Sequence, residues 1–228
     1  MAILSTPPPQ VLEQFPLFES LSAAERQMLG QMIEKKVIPK YHYIYMASDP
    51  SVCVYFLYKG TVKIGTHNSD GKEVIKQILH PTAMFGELSL VGEENRQDFA
   101  RAMNNEVSLY VLKVQDFQTL MESNSKLSLK VIQTLGTRLR KAENRLEALI
   151  FKDARTRIID FIKENVSSRG RRVGYEMLLR HSLTQQDIAN LTGTSRQTVT
   201  SVLNELRKMD LIYFNRKSIL VRDMGKLI

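Results

Sequence analysis

The side chains best suited to chemistry in this sequence lie in Leu183–Leu206. Arg196, Gln197, Thr200 and Ser201 recur at the spacing of one helix face. A guanidinium can donate two hydrogen bonds to guanine O6 and N7, and a side-chain amide can bond adenine N6 and N7 in the same way. The sequence therefore predicts a helix that presents these four residues to base edges in duplex DNA.

The flanking residues predict how that helix is held. Thr184 and Asp187 form a capping box for a preceding helix, Gly193 permits a tight turn, and Ser195 is placed to cap the second helix. The apolar positions expected to face inward are Ala189, Val199, Leu203 and Leu206. The combination predicts a helix-turn-helix over Leu183–Leu206.

A β-hairpin is expected directly after this motif. Leu211–Phe214 and Ile219–Val221 flank a basic turn at Asn215–Ser218, as in the wing of a winged helix. An ordinary αα-hairpin would also have caps and a turn glycine, but not the basic wing. Polar hydroxyls near the helix starts suit phosphate contacts. We assign DNA contacts to Thr184, Gln185, Ser195, Arg196, Gln197, Thr198, Thr200 and Ser201.

Positive charge is concentrated in the same part of the chain. Residues 152–228 contain 15 Lys and Arg against 8 Asp and Glu, a net charge of +7, whereas the whole chain carries +8. Clustered basic residues favour a phosphate backbone as partner, because binding releases condensed counterions. A merely solvated basic surface would give the same count, so charge alone leaves both readings open.

The N-terminal half has a different pattern, in which one short helix precedes many short strands. Ser22–Glu25 is a capping box for a helix that runs through Ile33. The expected strands are Tyr43–Met46, Val54–Tyr58, Thr61–Thr66, Val74–Leu79 and Val107–Lys113, with a hairpin turn at Asn68–Gly71. Short strands at regular spacing indicate an antiparallel β-roll or jelly roll, and the fold class is α+β.

A long helix over about Ser125–Ile150 is expected to join the two halves. Its apolar residues recur at spacings of three and four, in a narrow stripe with charged flanks that is typical of a two-helix seam. We assign the dimer interface to Ile132, Leu135, Leu139, Ala142, Leu146 and Leu149. Packing of the first turns against the β-roll is the alternative. Asp153 is expected to cap a new helix, Ala154–Asn165.

These boundaries predict three parts: an effector-sensing domain over residues 1–120, a dimerisation helix and hinge over 121–152, and a DNA-binding domain over 153–228. A single cysteine, Cys53, excludes an iron–sulfur cluster held by four thiolates of one chain. No paired carboxylates or nucleophile motif suggest an enzyme, and we assign no metal site. No apolar run or signal peptide indicates a membrane or exported protein, so a cytoplasmic location is expected.

The chain resembles the CRP/FNR superfamily of bacterial transcription regulators from about Phe15 to its C-terminus. The resemblance is carried by Pro16–Leu21, Phe85–Leu88, the leucine-striped helix ending at Phe151–Asp153, and the helix-turn-helix. It implies a cyclic-nucleotide-binding-like β-roll, a long dimerisation helix and a C-terminal winged helix. It further implies a homodimer on a pseudo-palindromic DNA operator, with RNA polymerase as a further partner.

The resemblance also places an effector pocket. In members that bind cAMP, a Gly-Glu-Leu turn holds the ribose, an Arg followed by Ser or Thr grips the phosphate, and a Thr-Ser pair contacts the adenine. The matching residues here are Gly86, Glu87, Leu88 and Ser89, then Arg96 and Gln97, then Ala142 and Glu143. Asp98 follows Gln97 and would repel a phosphate, and Ala142 has no hydrogen-bonding group. These departures make cAMP a doubtful effector and leave the cofactor unknown.

Three further points follow from the resemblance. Some members bind haem, and His42, His67, His80, Cys53 and ten methionines keep that option open. In the best-known members, Arg, Glu and a second Arg of the recognition helix read TGTGA, and the matching residues here are Arg196, Gln197 and Ser201. The alternative function is a cyclic-nucleotide-sensing module that acts on a protein partner, but it gives Leu183–Leu206 no role.

Overall fold

The computed structural model describes residues 9–227 of the chain, and its described part contains seven α-helices. They are α1 (Pro9–Leu12), α2 (Ala23–Met32), α3 (Val114–Ser123), α4 (Ser125–Phe151), α5 (Ala154–Arg169), α6 (Gln185–Thr192) and α7 (Arg196–Lys208). The chain divides into two compact units. The first runs up to Thr66 and resumes over Lys76–Arg140, and the second comprises His67–Ile75 and Lys141–Ile228.

Eight strands lie in the N-terminal half. They are β1 (Glu34–Pro39), β2 (Tyr43–Tyr45), β3 (Cys53–Lys59), β4 (Val62–His67), β5 (Glu73–Leu79), β6 (Met84–Phe85), β7 (Phe99–Ala102) and β8 (Glu106–Lys113). They form two four-stranded sheets of order β1-β8-β3-β6 and β2-β7-β4-β5. The antiparallel double sheet and the five predicted strands are confirmed, with strand ends within one residue or so.

Strands β3 and β8 are buried on both faces. Phe56 and Tyr110 belong to a core cluster with residues of the helices, whereas Leu57 and Leu109 belong to a cluster formed by the two sheets. Successive side chains of a strand point to opposite faces, so neighbouring residues enter different clusters. This double burial explains why residues 107–112 of β8 are all buried.

Helices α2 and α4 begin where the sequence predicts. The Ser22 hydroxyl accepts from Glu25 N, and the Glu25 carboxylate accepts from Ser22 N, which completes the capping box of α2. The early turns of α4 bury Leu127 and Val131 in the core cluster that also contains Phe56 and Tyr110. Leu135 is half-buried against the same core. The seam assignment of Leu135 stays a prediction, because a half-buried side chain can pack on its own core and also contact a second helix.

The second unit contains four further strands, β9 (Arg171–Val173), β10 (Glu176–Arg180), β11 (Ile212–Phe214) and β12 (Ser218–Val221). They form one antiparallel sheet of order β11-β12-β10-β9, which includes the predicted wing hairpin β11–β12. The Asp153 carboxylate caps α5 by accepting from Thr156 N at 2.7 Å. This helix extends four residues beyond the predicted end at Asn165. Residues 158, 159, 162 and 166 of α5 are its buried face.

Between residues 9 and 227 no helix combines the length and the apolar character that a membrane span requires. The same residues contain no group of three or more His, Cys, Asp or Glu side chains arranged to hold a metal ion.

Candidate nucleic-acid interface and effector pocket

Helices α6 and α7 form the predicted helix-turn-helix. Thr184 caps α6 in a full capping box with Asp187, and Ser195 caps α7 by accepting from Thr198 N at 3.0 Å. Gly193 adopts φ +63° between the helices, a conformation that favours glycine. Ala189 is fully buried where the helices pack. The predicted turn chemistry is confirmed at each of these positions.

The outward face of α7 forms a shallow groove of about 530 Å³. Its lining residues are Arg196, Gln197, Thr200, Ser201 and Asn204. The structure thus brings together the four residues that the sequence assigned to base contacts. Asn204 was missed, although it lies four positions after Thr200 and completes the same helical face. The opposite face of α7 buries Val199, Val202, Leu203 and Leu206.

Several of the assigned hydroxyls already have bonds within the motif. Thr200 Oγ1 lies 2.6 Å from Gln185 Oε1, so this pair links α6 to α7. Ser195 Oγ lies 2.8 Å from Thr198 Oγ1 in the cap of α7. The Thr184 hydroxyl lies 2.7 Å from Asp187 Oδ2. These side chains hold the geometry of the motif, whereas Arg196, Gln197 and Ser201 are exposed at its surface.

The wing has a basic, exposed tip. Asn215 Oδ1 accepts from the backbone N–H groups of Lys217 at 2.8 Å and Ser218 at 2.9 Å, which closes the turn between β11 and β12. Arg216 and Lys217 are exposed at this tip. Arg207 near the end of α7 lies 5.3 Å from the centre of the Phe214 ring, so a third cation lies beside the wing.

The predicted effector pocket begins at a turn after β6. Gly86 adopts φ +74°, and a short 3₁₀ helix follows over Glu87–Val91. Glu87 and Ser89 are buried, whereas Leu88 is exposed. Ser89 Oγ donates to Gly86 O at 2.6 Å. A Cβ at Gly86 would lie 3.0 Å from Arg96 Nη1, and the positive φ also favours glycine at this position.

The buried carboxylate of Glu87 is paired within the chain. Arg138, on α4, donates from one guanidinium nitrogen to Glu87 and from another to the Met84 carbonyl. The Glu87 side chain is 8% exposed and that of Arg138 is 20% exposed. Arg138 is one of the charged residues that flank the apolar stripe of α4, and the sequence pattern alone predicts no role for it in the pocket. The acceptor expected for a ribose hydroxyl is therefore engaged by an arginine of the long helix.

Arg96 also has partners in the first unit through its two terminal guanidinium nitrogens, whereas its Nε is buried without a hydrogen bond to any described residue. Its side chain is 1% exposed and donates to the carbonyls of Gly86 and Cys53 and to Glu93. The guanidinium lies 4.6 Å from the Tyr45 ring centre and 5.8 Å from that of Tyr55. Burial raises the pKa of both tyrosines, so the rings are neutral walls around the cation.

The other residues assigned to the effector pocket, and Asp98 beside them in the sequence, differ in their exposure and hydrogen bonds. Gln97 is exposed and its backbone N–H donates to Glu93 at 3.3 Å. Asp98 pairs with Lys76 at 3.0 Å and accepts from the Tyr45 hydroxyl at 3.3 Å. Ala142 and Glu143 are exposed on the part of α4 that belongs to the second unit.

The apolar stripe of α4 is largely uncovered in the single chain. Ile132, Leu139 and Leu146 are each 61% exposed, and Leu149 is 52% exposed. Ala142, between them, is also exposed. Apolar side chains in a continuous row on a helix are rarely left in water, because their burial stabilises association.

The histidines and the cysteine that could serve as haem ligands differ in burial. His42 is exposed with Nδ1 at 3.1 Å from the Lys40 carbonyl, and Cys53 is half-buried in β3. Burial raises the pKa of the Cys53 thiol, which disfavours the thiolate that binds metals. His67 is exposed and His80 is half-buried.

Family models match both units of the chain. Residues 35–124 match the model of a cyclic nucleotide-binding domain, and residues 156–228 match the model of a Crp-like helix-turn-helix domain. Between them the two models cover most of the sequence. Residues 125–155, which lie between the two matches, comprise α4 and the start of α5.

Relatives align with this chain over most of their length. A CRP-like cAMP-activated global transcriptional regulator of Mycobacterium tuberculosis is 28% identical over 218 residues, which cover 96% of this chain and 97% of the relative. A global nitrogen regulator of Synechocystis sp. is 29% identical over 181 residues, or 79% of this chain and 80% of the relative. The solved structure of a CooA mutant from Carboxydothermus hydrogenoformans matches with a TM-score of 0.77 at 24% identity, and covers 99% of this chain and 96% of that one.

Proposed function

Because this chain belongs to the CRP/FNR superfamily of DNA-binding transcription regulators, we propose that α7 is its recognition helix and binds in the major groove of an operator. The observation that carries this proposal is the groove formed by Arg196, Gln197, Thr200, Ser201 and Asn204. All five side chains can donate or accept hydrogen bonds, and they lie on the first turns of one helix.

The wing is the proposed phosphate clamp. Arg216 and Lys217 are exposed at the tip of β11–β12, in the unit that carries most of the excess charge. Phosphate contacts of this kind fix the register of the protein on the duplex but do not read its sequence. The wing thus supplies affinity, and α7 supplies specificity.

Two copies of the chain are proposed to pair through the apolar stripe of α4. The exposed row of Ile132, Leu139, Ala142, Leu146 and Leu149 supports this pairing, and Leu135, half-buried against its own core, lies in the same row. A two-fold dimer presents two recognition helices to two half-sites. The operator is therefore expected to be a pseudo-palindrome.

The N-terminal domain is proposed to modulate DNA binding, with an effector other than cAMP. One relative is named as cAMP-activated, but here Arg96 is engaged with two carbonyls and Glu93, and Glu87 is paired with Arg138. A cyclic phosphate would have to displace these bonds next to Asp98. Titration calorimetry with cAMP should show no binding or weak binding, and a dissociation constant in the low micromolar range would contradict this part of the proposal.

The wider setting is inferred from the function. We propose a cytoplasmic location, where DNA is accessible, and RNA polymerase as the partner through which a bound regulator acts. The alternative is a cyclic-nucleotide-sensing module that controls another protein. That alternative predicts no dependence of activity on the groove of α7.

The proposed function is tested by the salt dependence of DNA binding. For the wild-type dimer, the logarithm of the association constant should fall steeply and linearly with the logarithm of the salt concentration. Lys217→Ala should reduce this slope by roughly one per protomer. Lys59→Ala, which removes the same charge from the first unit, should leave the slope unchanged. A flat slope for the wild-type protein would reject DNA binding.

A further inference from the structure

Arg157, in the first turn of α5, connects three backbone carbonyls. Its Nη1 donates to Lys152 O at 2.6 Å, its Nε donates to Thr192 O at 2.9 Å, and its Nη2 donates to Gly193 O at 3.1 Å. Each nitrogen of the guanidinium thus has a different acceptor. All of these residues belong to the second unit.

The three carbonyls lie at helix ends. Lys152 follows the last residue of α4, Thr192 is the last residue of α6, and Gly193 is the turn of the helix-turn-helix. The final carbonyls of a helix have no N–H partner further along the helix, and a cation there also interacts favourably with the helix dipole. A single planar guanidinium satisfies these acceptors because its donors diverge in a fixed geometry.

A second contact joins the same elements. The side chain of Leu149, in the last turn of α4, lies over Gly193, since a Cβ at Gly193 would come within 2.7 Å of Leu149 Cδ2. The positive φ favours glycine at this position, and a larger side chain would also have to displace the Leu149 side chain. The turn of the helix-turn-helix is held against the end of α4 by a packing contact and by the bonds of Arg157.

The turn directly determines where α7 begins. Gly193 lies three residues before Arg196, the first residue of α7, and Ser195 is the N-cap of this helix. A displacement of the turn would therefore move Arg196 and Gln197 with it. Base recognition by bidentate hydrogen bonds tolerates displacements of only about half an ångström.

We infer that Arg157 is a positioning residue for DNA recognition, which fixes the start of the recognition helix relative to the end of the long helix α4. It does so without touching DNA, through the carbonyls of Lys152, Thr192 and Gly193. This inference rests on the proposed function of α7. It explains why an arginine is present in the first turn of α5, where a helix start usually favours acidic residues.

The test compares Arg157→Ala and Arg157→Lys with the wild-type dimer. Lysine keeps the charge but has one nitrogen, which cannot reach three diverging carbonyls. Lys163→Ala is the matched control, because it removes one positive charge from α5 and leaves the three carbonyl bonds in place. The probes are a duplex selected from random sequences by the wild-type protein and a shuffled duplex of the same composition.

We expect the Arg157 variants to lose sequence specificity while they retain non-specific binding to DNA. Both Arg157 variants should lower the ratio of operator affinity to shuffled-duplex affinity by about tenfold or more, with an unchanged salt slope. Thermal unfolding establishes whether each variant is folded at the assay temperature. If Arg157→Ala does not fold, Arg157→Lys tests the inference. Retention of the wild-type ratio in a folded variant would overturn the inference. Failure of the wild-type protein to select any sequence would instead reject the proposed function.

Discussion

At the scale of single residues, DNA sequence preference is expected to depend on three exposed side chains of α7. Arg196 retains the guanidinium that related regulators use for guanine, whereas Gln197 replaces a carboxylate that accepts from cytosine and Ser201 is too short to reach a second guanine. All three are exposed and line the groove on the outward face of α7. The operator is therefore expected to keep one guanine and to differ elsewhere from TGTGA.

Arg196→Ala should weaken operator binding by about 1–3 kcal/mol per half-site, because one bidentate pair is lost. The loss should appear as relaxed preference at one base pair, measured by titrating operators that carry each base at that position. Lys217→Ala is the comparison, since a lost phosphate contact should weaken all of these duplexes alike. An Arg196→Ala protein with undiminished preference at every position would show that Arg196 reads no base.

The double change Gln197→Glu with Ser201→Arg should move the preference toward TGTGA. The glutamate restores an acceptor for cytosine N4, and the arginine restores the reach to a second guanine. Competition between a TGTGA palindrome and the wild-type operator measures the shift. A double variant that still prefers the wild-type operator would indicate that positions outside these two set the sequence preference.

His181 predicts a pH dependence of stability in the second unit. Burial lowers the pKa of this histidine below its ordinary value. The unfolded chain, with a pKa of about 6.5, then binds the proton more tightly than the folded unit does. The free energy of unfolding should be fully retained above about pH 6.5 and should fall as the pH drops through the folded pKa.

Thermal melts between about pH 7.5 and pH 5 measure this effect. His181→Gln should reduce the acid-dependent fall in melting temperature, whereas His42→Gln, at an exposed position of the first unit, should leave it as in the wild type. Identical pH profiles for the His181→Gln and wild-type proteins would show that the histidine does not titrate between the two states.

At the scale of elements, the long helix α4 has two different faces along its length. Its first turns bury Leu127 and Val131 in the first unit, and its later turns expose Leu139 and Leu146. Both sets follow the same spacing of three and four residues, with the half-buried Leu135 between them. Periodicity gives the apolar face of a helix but does not give its partner.

Leu139→Glu should convert the dimer to monomers, because two like charges would be buried opposite each other across the seam. We expect dissociation to become more favourable by roughly a hundredfold or more. Sedimentation over a range of protein concentrations measures it. Thr137→Glu, which adds the same charge at an exposed position of α4, should leave the dimer intact, and an intact dimer for Leu139→Glu would mean that the seam lies elsewhere.

Short and irregular elements account for most of what the sequence did not reveal. Strand β1 carries three charged residues at a sheet edge, and β6 has only two residues, so neither shows the alternation that predicts a strand. The hairpin β9–β10 begins with two exposed arginines. By contrast, the capping boxes at Ser22 and Thr184 depend only on local residue types, and both were predicted from the sequence.

The residues of the proposed sites also divide into those that a local sequence pattern reveals and those that only the tertiary fold brings together. Arg196, Gln197, Thr200 and Ser201 were located because one helix brings them together, and Asn204 continues the same periodicity. Arg138 could not be linked to Glu87 from the sequence, since 51 residues separate them and only the tertiary fold pairs them. The three carbonyl acceptors of Arg157 are likewise backbone atoms, which carry no sequence signal.

At the scale of the whole molecule, the chain separates sensing from DNA binding by composition. The last third carries +7 of the net charge of +8, together with the helix-turn-helix and its wing. The first unit contributes two packed sheets in which the polar groups of the expected pocket, Glu87, Arg96 and Asp98, all have partners of their own chain. A regulator of this construction is expected to bind DNA measurably before any effector is added.

Selection from random-sequence duplexes by the purified protein tests the central claim most directly. We predict recovery of a two-fold symmetric sequence with a guanine in each half-site, half-site centres about 10–11 base pairs apart, and a half-site other than TGTGA. Repetition with Arg196→Ala should recover the same symmetry without the guanine. Sequences without two-fold symmetry, or TGTGA palindromes selected by the unmodified protein, would contradict the account of α7 as the recognition helix of a symmetric dimer.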